Sequence, residues 1–73
     1  MTFDYRIIKK LNGEYIVGEI YYDKNDNITY WCDEPVECWG ETLELLKEEM
    51  SYINQAFEKP ILIENKDKTL SEI

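Results

Sequence analysis

The 73-residue sequence predicts a small α+β domain, in which an antiparallel sheet with the chain order β-β-β-α-β carries one helix on one face. Two observations predict this fold: a long amphipathic segment over residues 42–57, and two alternating segments on either side of Asn12-Gly13. The length and the 44% hydrophobic content suit a single domain over residues 1–73. We expect its ordered core to span about residues 3–64 and to be followed by a polar tail over 65–73.

The helix prediction depends on apolar residues that recur with the 3-4-3-4 spacing of one helix face. These residues are Leu43, Leu46, Met50, Ile53 and Phe57. Thr42 is expected to cap the amino end of the helix. Lys59-Pro60 is expected to end it, because proline disfavours the helical conformation in the residue before it. We expect the whole apolar stripe to cover the sheet.

The first two strands are predicted to form a hairpin around Asn12-Gly13, which favours a two-residue type I′ turn with positive φ at both positions. This turn would place Ile7 opposite Gly18 and Ile8 opposite Val17. One face of the hairpin would then be apolar and would receive the helix. That face would contain Phe3, Tyr5, Ile7, Ile16, Ile20 and Tyr22.

The remaining elements are shorter. Residues 23–27 predict a polar turn, and residues 28–33, rich in β-forming side chains, predict a third strand. Residues 34–41 connect this strand to the helix. Residues 61–63 predict a short fourth strand after the helix.

The segment before the helix resembles part of a known family. The order of elements, Pro35 and Cys38, and the run Gly40-Glu41-Thr42-Leu43-Glu44 are similar to the core of HicB-like antitoxins over about residues 3–64. In that family a proline-glycine-cysteine turn shortly precedes Gly-Asp-Thr-Leu-Glu, whereas Val36-Glu37 separates Pro35 from Cys38 here. The resemblance implies a protein-binding, inhibitory module. It does not extend to the DNA-binding domain that often follows this core in the family.

Charge narrows the classes of partner. Eight basic and sixteen acidic residues give a formal charge of −8, which repels phosphate groups and disfavours nucleic-acid binding. The same charge favours a basic protein partner. The chain starts without the pattern of a secretory signal and has no apolar run of about 20 residues. We therefore expect a cytoplasmic protein that does not bind membranes.

Residues that could carry chemistry do not form a complete set. Cys32 and Cys38 could ligate a metal or form a disulfide, but the chain contains no histidine and no other cysteine. Asp23 begins a spacing similar to a calcium loop, but the position that requires glycine is Ile28. Nucleophilic catalysis with a histidine base is excluded for the same lack of histidine. We expect no enzymatic activity, no cofactor and no metal.

Apolar side chains outside the predicted helix–sheet contact predict an interface. They are Ile8, Tyr15, Val17 and Tyr21 on the reverse face of the sheet, joined by Trp31, and Leu45 and Tyr52 on a second helix line. We therefore expect a non-enzymatic binding module that contacts a basic protein partner and also associates with itself. Two alternatives remain: a small-ligand or nucleotide-sequestering protein of the counter-defence type, and a purely structural oligomerisation domain.

Overall fold

The computed structural model describes residues 2–72. Its elements are strands β1 (Thr2–Lys9), β2 (Tyr15–Tyr22) and β3 (Ile28–Trp31), helix α1 (Leu43–Ala56), and strands β4 (Leu62–Glu64) and β5 (Leu70–Glu72). The α+β class is confirmed, but the sheet is mixed and not antiparallel throughout. Its strand order is β3-β2-β1-β4-β5, with β4 parallel to β1. The parallel pair arises because α1 carries the chain back across the sheet before β4 begins.

The fifth strand lies in the segment for which we expected a polar tail. Leu70–Glu72 pair antiparallel with β4 through a tight turn, in which Lys68 N–H donates to Asn65 O over 3.0 Å. Leu70 is half-buried and packs against the core. The tail prediction is therefore wrong for these residues, because Leu70-Ser71-Glu72 contains no β-branched or aromatic side chain that would indicate a strand. Ile73, the end of the predicted tail, lies outside the described residues.

The β1–β2 hairpin has a three-residue turn and not the two-residue turn predicted. Gly13 N–H donates to Lys10 O over 2.9 Å, and Lys10 N–H donates to Glu14 O over 2.8 Å. Gly13 has φ 91°. This is a type I turn followed by a residue in the left-handed conformation, an arrangement that also places glycine at its last position. As a result Ile8 pairs with Ile16, and the register differs by one residue from the predicted one.

The changed register decides which residues form the core, because a shift of one residue moves every side chain of β2 to the other face relative to β1. Ile8, Ile20 and Leu62 are buried to 1% exposure or less. Partly buried hydrophobic residues surround them: Ile16, Tyr22, Trp31 and Leu70. The expectation that Ile8 lies on an exposed interface is therefore wrong, since its exposure is 0%.

The sheet curls around this core, so that its two edges approach each other. Trp31, at the β3 edge, donates its indole N–H to Lys68 O in the β4–β5 turn over 2.7 Å. The Lys68 ammonium group lies 3.5 Å from the Asp33 carboxylate. Gly18 permits the close packing inside the curl, because a Cβ at this position would lie 2.5 Å from Ile8 Cδ1.

The buried side chain of Arg6 forms hydrogen bonds that link the segment after the helix to the β1–β2 hairpin. Arg6 is 7% exposed, and its guanidinium donates to Pro60 O from Nη2 over 2.7 Å and to the Tyr22 hydroxyl from Nη1 over 3.1 Å. The Tyr22 hydroxyl in turn donates to Asp4 Oδ1 over 2.9 Å, and Lys59 Nζ lies 2.8 Å from Asp4 Oδ2. This network satisfies the buried charge with hydrogen bonds, as a buried guanidinium requires.

Helix α1 has the predicted limits. The Thr42 hydroxyl accepts a hydrogen bond from Leu45 N–H over 3.1 Å, and Phe57 is the residue at the carboxyl end. Within residues 2–72, no helix is long and apolar enough to cross a membrane.

The helix packs on the face of the sheet opposite to the core, but its apolar stripe is not centred on the sheet. Ala56 is fully buried, and Leu46 and Ile53 are half-buried. The exposed fractions of Leu43, Met50 and Phe57 are 65%, 45% and 69%. The expectation that the whole stripe covers the sheet is therefore wrong. The helix is rotated about its axis, so that one edge of the stripe faces solvent.

Candidate functional site

A groove of about 550 Å³ lies between the helix, the sheet and the connection that precedes the helix. We call it the acidic groove, because four of its nine lining residues are glutamates and none is a lysine or an arginine. The lining residues are Tyr5, Glu19, Cys32, Glu34, Pro35, Val36, Glu37, Trp39 and Glu49.

Backbone pairing positions the walls of the acidic groove. Tyr5 and Glu19 are directly opposite each other on β1 and β2, so their side chains share the helix-bearing face. The chain after β3 continues along β2, since Cys32 N–H donates to Glu19 O over 3.1 Å and Val36 N–H donates to Val17 O over 2.8 Å. These bonds hold the connection beside the sheet, although residues 32–36 are not a regular strand.

One hydrogen bond joins the sheet to the helix at the floor of the groove. The Tyr5 hydroxyl donates to Glu49 Oε1 over 2.6 Å. Burial raises the pKa of Tyr5, and the hydrogen bond to the Glu49 carboxylate raises it further. The phenol therefore remains a protonated donor at neutral pH. Tyr5 and Glu49 also line a second groove of about 410 Å³, which contains Phe3, Tyr52 and other residues.

An aromatic row continues from the groove across the sheet. The ring of Phe3 lies 6.3 Å from that of Tyr5 and 5.7 Å from that of Tyr21, and Tyr21 lies 5.7 Å from Tyr30. Phe3 and Tyr30 are 58% and 62% exposed. A row of this kind on a small domain is an apolar surface accessible to a partner.

The carboxylates of the groove have no cationic partner among residues 2–72. The acidic residues that form ion pairs within residues 2–72 are Asp4, Asp33 and Glu72. The Tyr21 hydroxyl donates to Glu19 Oε2 over 2.8 Å, and this bond is the main reason why the pKa of Tyr21 is raised. Carboxylates beside aromatic faces suit guanidinium and ammonium groups, which bind both.

The two cysteines and the acidic residues do not form a metal site in the described residues. Cys32 is half-buried and Cys38 is exposed, and both are free thiols. Within residues 2–72, no group of three or more histidine, cysteine or acidic side chains is arranged to hold a metal ion.

We predicted two exposed patches, one on the sheet face turned away from the helix and one on the helix. The first placement is wrong, because the register of β2 differs from the predicted one. Val17 and Tyr21 lie on the helix-bearing face of the sheet, and so does Tyr15, which is 59% exposed at the start of β2. Leu45 and Tyr52, which are 46% and 55% exposed, lie together on the helix.

Trp31 lies on the opposite face of the sheet from Val17 and Tyr21, and Leu45 and Tyr52 lie close to Trp39. Trp31 is half-buried on the core side of the sheet. Leu45 and Tyr52 line a concave region with Trp39. Trp39 itself is 65% exposed and was not among the residues predicted from the sequence. Its position beside Gly40, in a connection that contains a proline, is the signal that sequence reasoning could have used.

Comparison of the chain with protein-family models, with curated proteins and with solved structures finds no match.

Proposed function

We propose that this chain is a non-enzymatic protein-binding module, whose acidic groove receives a basic segment of a partner protein. The observation that carries the proposal is the composition of the groove: four glutamates, no cationic residue, and the exposed indole of Trp39 at its edge. An anionic ligand such as a nucleotide would meet repulsion there. A protein partner with arginine or lysine side chains fits this groove better than the nucleotide-sequestering alternative does.

The charges and the aromatic side chains contribute differently to binding. Each exposed ion pair is worth about 0.2–1 kcal/mol, so the glutamates mainly increase the association rate and select the partner. Most of the affinity would come from burying large aromatic side chains, which are the usual hot spots of interfaces. Trp39 is the principal candidate, and Tyr52 beside it is the second.

The resemblance to HicB-like antitoxin cores supports a narrower form of the proposal. In this form the partner is a small basic protein that the module inhibits, and both act in the cytoplasm, where Cys32 and Cys38 stay reduced. The gene that lies beside the gene for this chain provides a test of the narrower proposal. Co-expression with a small basic protein encoded beside this chain should give a complex that co-purifies and that dissociates faster when Trp39 is replaced by alanine.

The general proposal is tested by selection from a displayed library of random peptides. We expect enrichment of peptides that combine arginine or lysine with apolar anchors. Association of a selected peptide should slow as salt is raised, because screening weakens electrostatic steering. Trp39→Ala should weaken binding by about tenfold or more.

A matched pair of double variants separates the groove from overall charge. Glu34→Gln with Glu37→Gln should slow association, whereas Glu14→Gln with Glu58→Gln makes the same change in net charge outside the groove and should have a much smaller effect. Equal effects of the two pairs, or enrichment of acidic peptides, would contradict the proposal.

A further inference from the structure

One edge of the helix presents apolar side chains that neither the sheet nor the acidic groove uses. Leu43, Met50 and Phe57 are spaced by seven residues, which places them on one line along about 21 Å of helix. Their exposed fractions are 65%, 45% and 69%. We call this line the helix seam. Leu46 and Ile53 lie between the seam and the sheet and are half-buried, so the seam continues the hydrophobic contact outward.

The charge around the helix seam differs from that of the acidic groove. A shallow groove beside Met50, the middle residue of the seam, is lined by polar residues that carry one positive and one negative charge in total. Those polar residues are Lys47, Ser51, Asn54, Gln55 and Glu58. A second copy of a chain with a formal charge of −8 would meet less repulsion at this nearly neutral surface than at the acidic groove.

The area of the chain also fits a self-associating protein. Its accessible surface is 5447 Å². This is about 650 Å² more than the roughly 4,800 Å² expected for a monomer of 8.8 kDa. A standard protein interface removes about 800 Å² from each partner, so one such contact would bring the exposed area to an ordinary value.

We infer that the occupant of the helix seam is a second copy of this chain, bound through an antiparallel pair of α1 helices. A two-fold axis passes near Met50, so that the two Met50 side chains meet and Leu43 of each copy packs on Phe57 of the other. Lys47 then lies near Asn54 of the other copy, so no like charges face each other next to the axis. The antiparallel direction also places opposite ends of the helix dipoles together.

This inference is independent of the proposed function, because none of the three residues of the helix seam lines the acidic groove. The dimer would carry two acidic grooves, one on each subunit. A partner could therefore engage both copies without disturbing the contact between them.

Sedimentation and light scattering test the inference across a series of protein concentrations. We expect a species with twice the 8.8 kDa mass of the chain. Met50→Glu should raise the dimer dissociation constant by about 100-fold or more, since it places two carboxylates together at the axis. Tyr52→Glu is the matched control: it adds the same charge at an exposed helix position away from the seam and should leave the dimer intact. A monomer at every concentration, or a dimer more sensitive to Tyr52→Glu than to Met50→Glu, overturns the inference.

Disulfide trapping tests the direction of the helices without relying on a destabilising substitution. In a background with Cys32→Ser and Cys38→Ser, mixing Leu43→Cys protein with Phe57→Cys protein should give mixed disulfides on mild oxidation. Met50→Cys should cross-link with itself. Leu43→Cys alone should not, because antiparallel helices hold its two copies far apart. Self-cross-linking of Leu43→Cys at the yield of the mixture overturns the antiparallel arrangement.

Discussion

The close contact between Gly18 and Ile8 allows the register of the β1–β2 hairpin to be tested by substitution. A methyl group added at Gly18 would lie 2.5 Å from Ile8 Cδ1, against the roughly 3.5–4.0 Å at which carbon atoms normally meet. Ile8 is fully buried, so its side chain has to shift by about 1 Å within the packed core. Overpacking of this kind costs about 1–3 kcal/mol, and the lower backbone entropy of unfolded alanine offsets about 0.5–1 kcal/mol. Gly18→Ala should therefore reduce the free energy of unfolding by about 1 kcal/mol.

The decisive quantity is the coupling between two substitutions. Ile8→Val alone should cost about 0.5–1.5 kcal/mol, because it removes a buried methyl group. That methyl group is Cδ1, the atom with which the side chain introduced by Gly18→Ala would collide. The double variant should therefore be more stable than the sum of the single effects predicts, by about 1 kcal/mol. Ile7→Val is the matched control: Ile7 faces the other side of β1, and we expect its coupling to Gly18→Ala to stay below about 0.5 kcal/mol.

Urea unfolding followed by tryptophan fluorescence gives these free energies, measured at one protein concentration for all variants. In the register of a two-residue turn, Gly18 would face Ile7 and lie on the opposite side from Ile8. The coupling would then appear with Ile7→Val and disappear with Ile8→Val. That outcome would refute the three-residue turn and the core derived from it.

Two further substitutions test local features of the fold. Tyr5→Phe removes the hydrogen bond to Glu49 and should lower the free energy of unfolding by about 1 kcal/mol at neutral pH. The pKa of Tyr5 is raised in the folded protein, while the unfolded tyrosine ionises near pH 10, so the stability difference between the natural protein and Tyr5→Phe should shrink as the pH rises above about 10. A difference that stays constant in alkaline denaturation curves would contradict the role of this bond. Lys68 has φ 71°, so Lys68→Gly should stabilise the β4–β5 turn by about 0.5 kcal/mol, after the loss of its exposed ion pair. Lys66→Gly, at an ordinary φ in the same turn, should lower the thermal midpoint instead, and equal shifts for the two glycine variants would exclude a backbone origin.

The sequence determined the parts of this protein that depend on neighbouring residues. The periodic spacing over residues 42–57 and the Thr42 cap predicted the limits of α1, because helical hydrogen bonds join residues four apart. The alternating segments beside Gly13 predicted β1 and β2. These features need no knowledge of the rest of the chain.

The tertiary structure decided the parts that depend on distant residues. The same Asn12-Gly13 pair is compatible with a two-residue and a three-residue turn, and the choice between them moved Ile8 from an expected surface to the centre of the core. Helix rotation exposed Met50, and pairing with β4 turned Leu70–Glu72 into a strand. Such outcomes depend on which faces can be buried together, because burial is a property of the assembled chain and local sequence specifies it weakly.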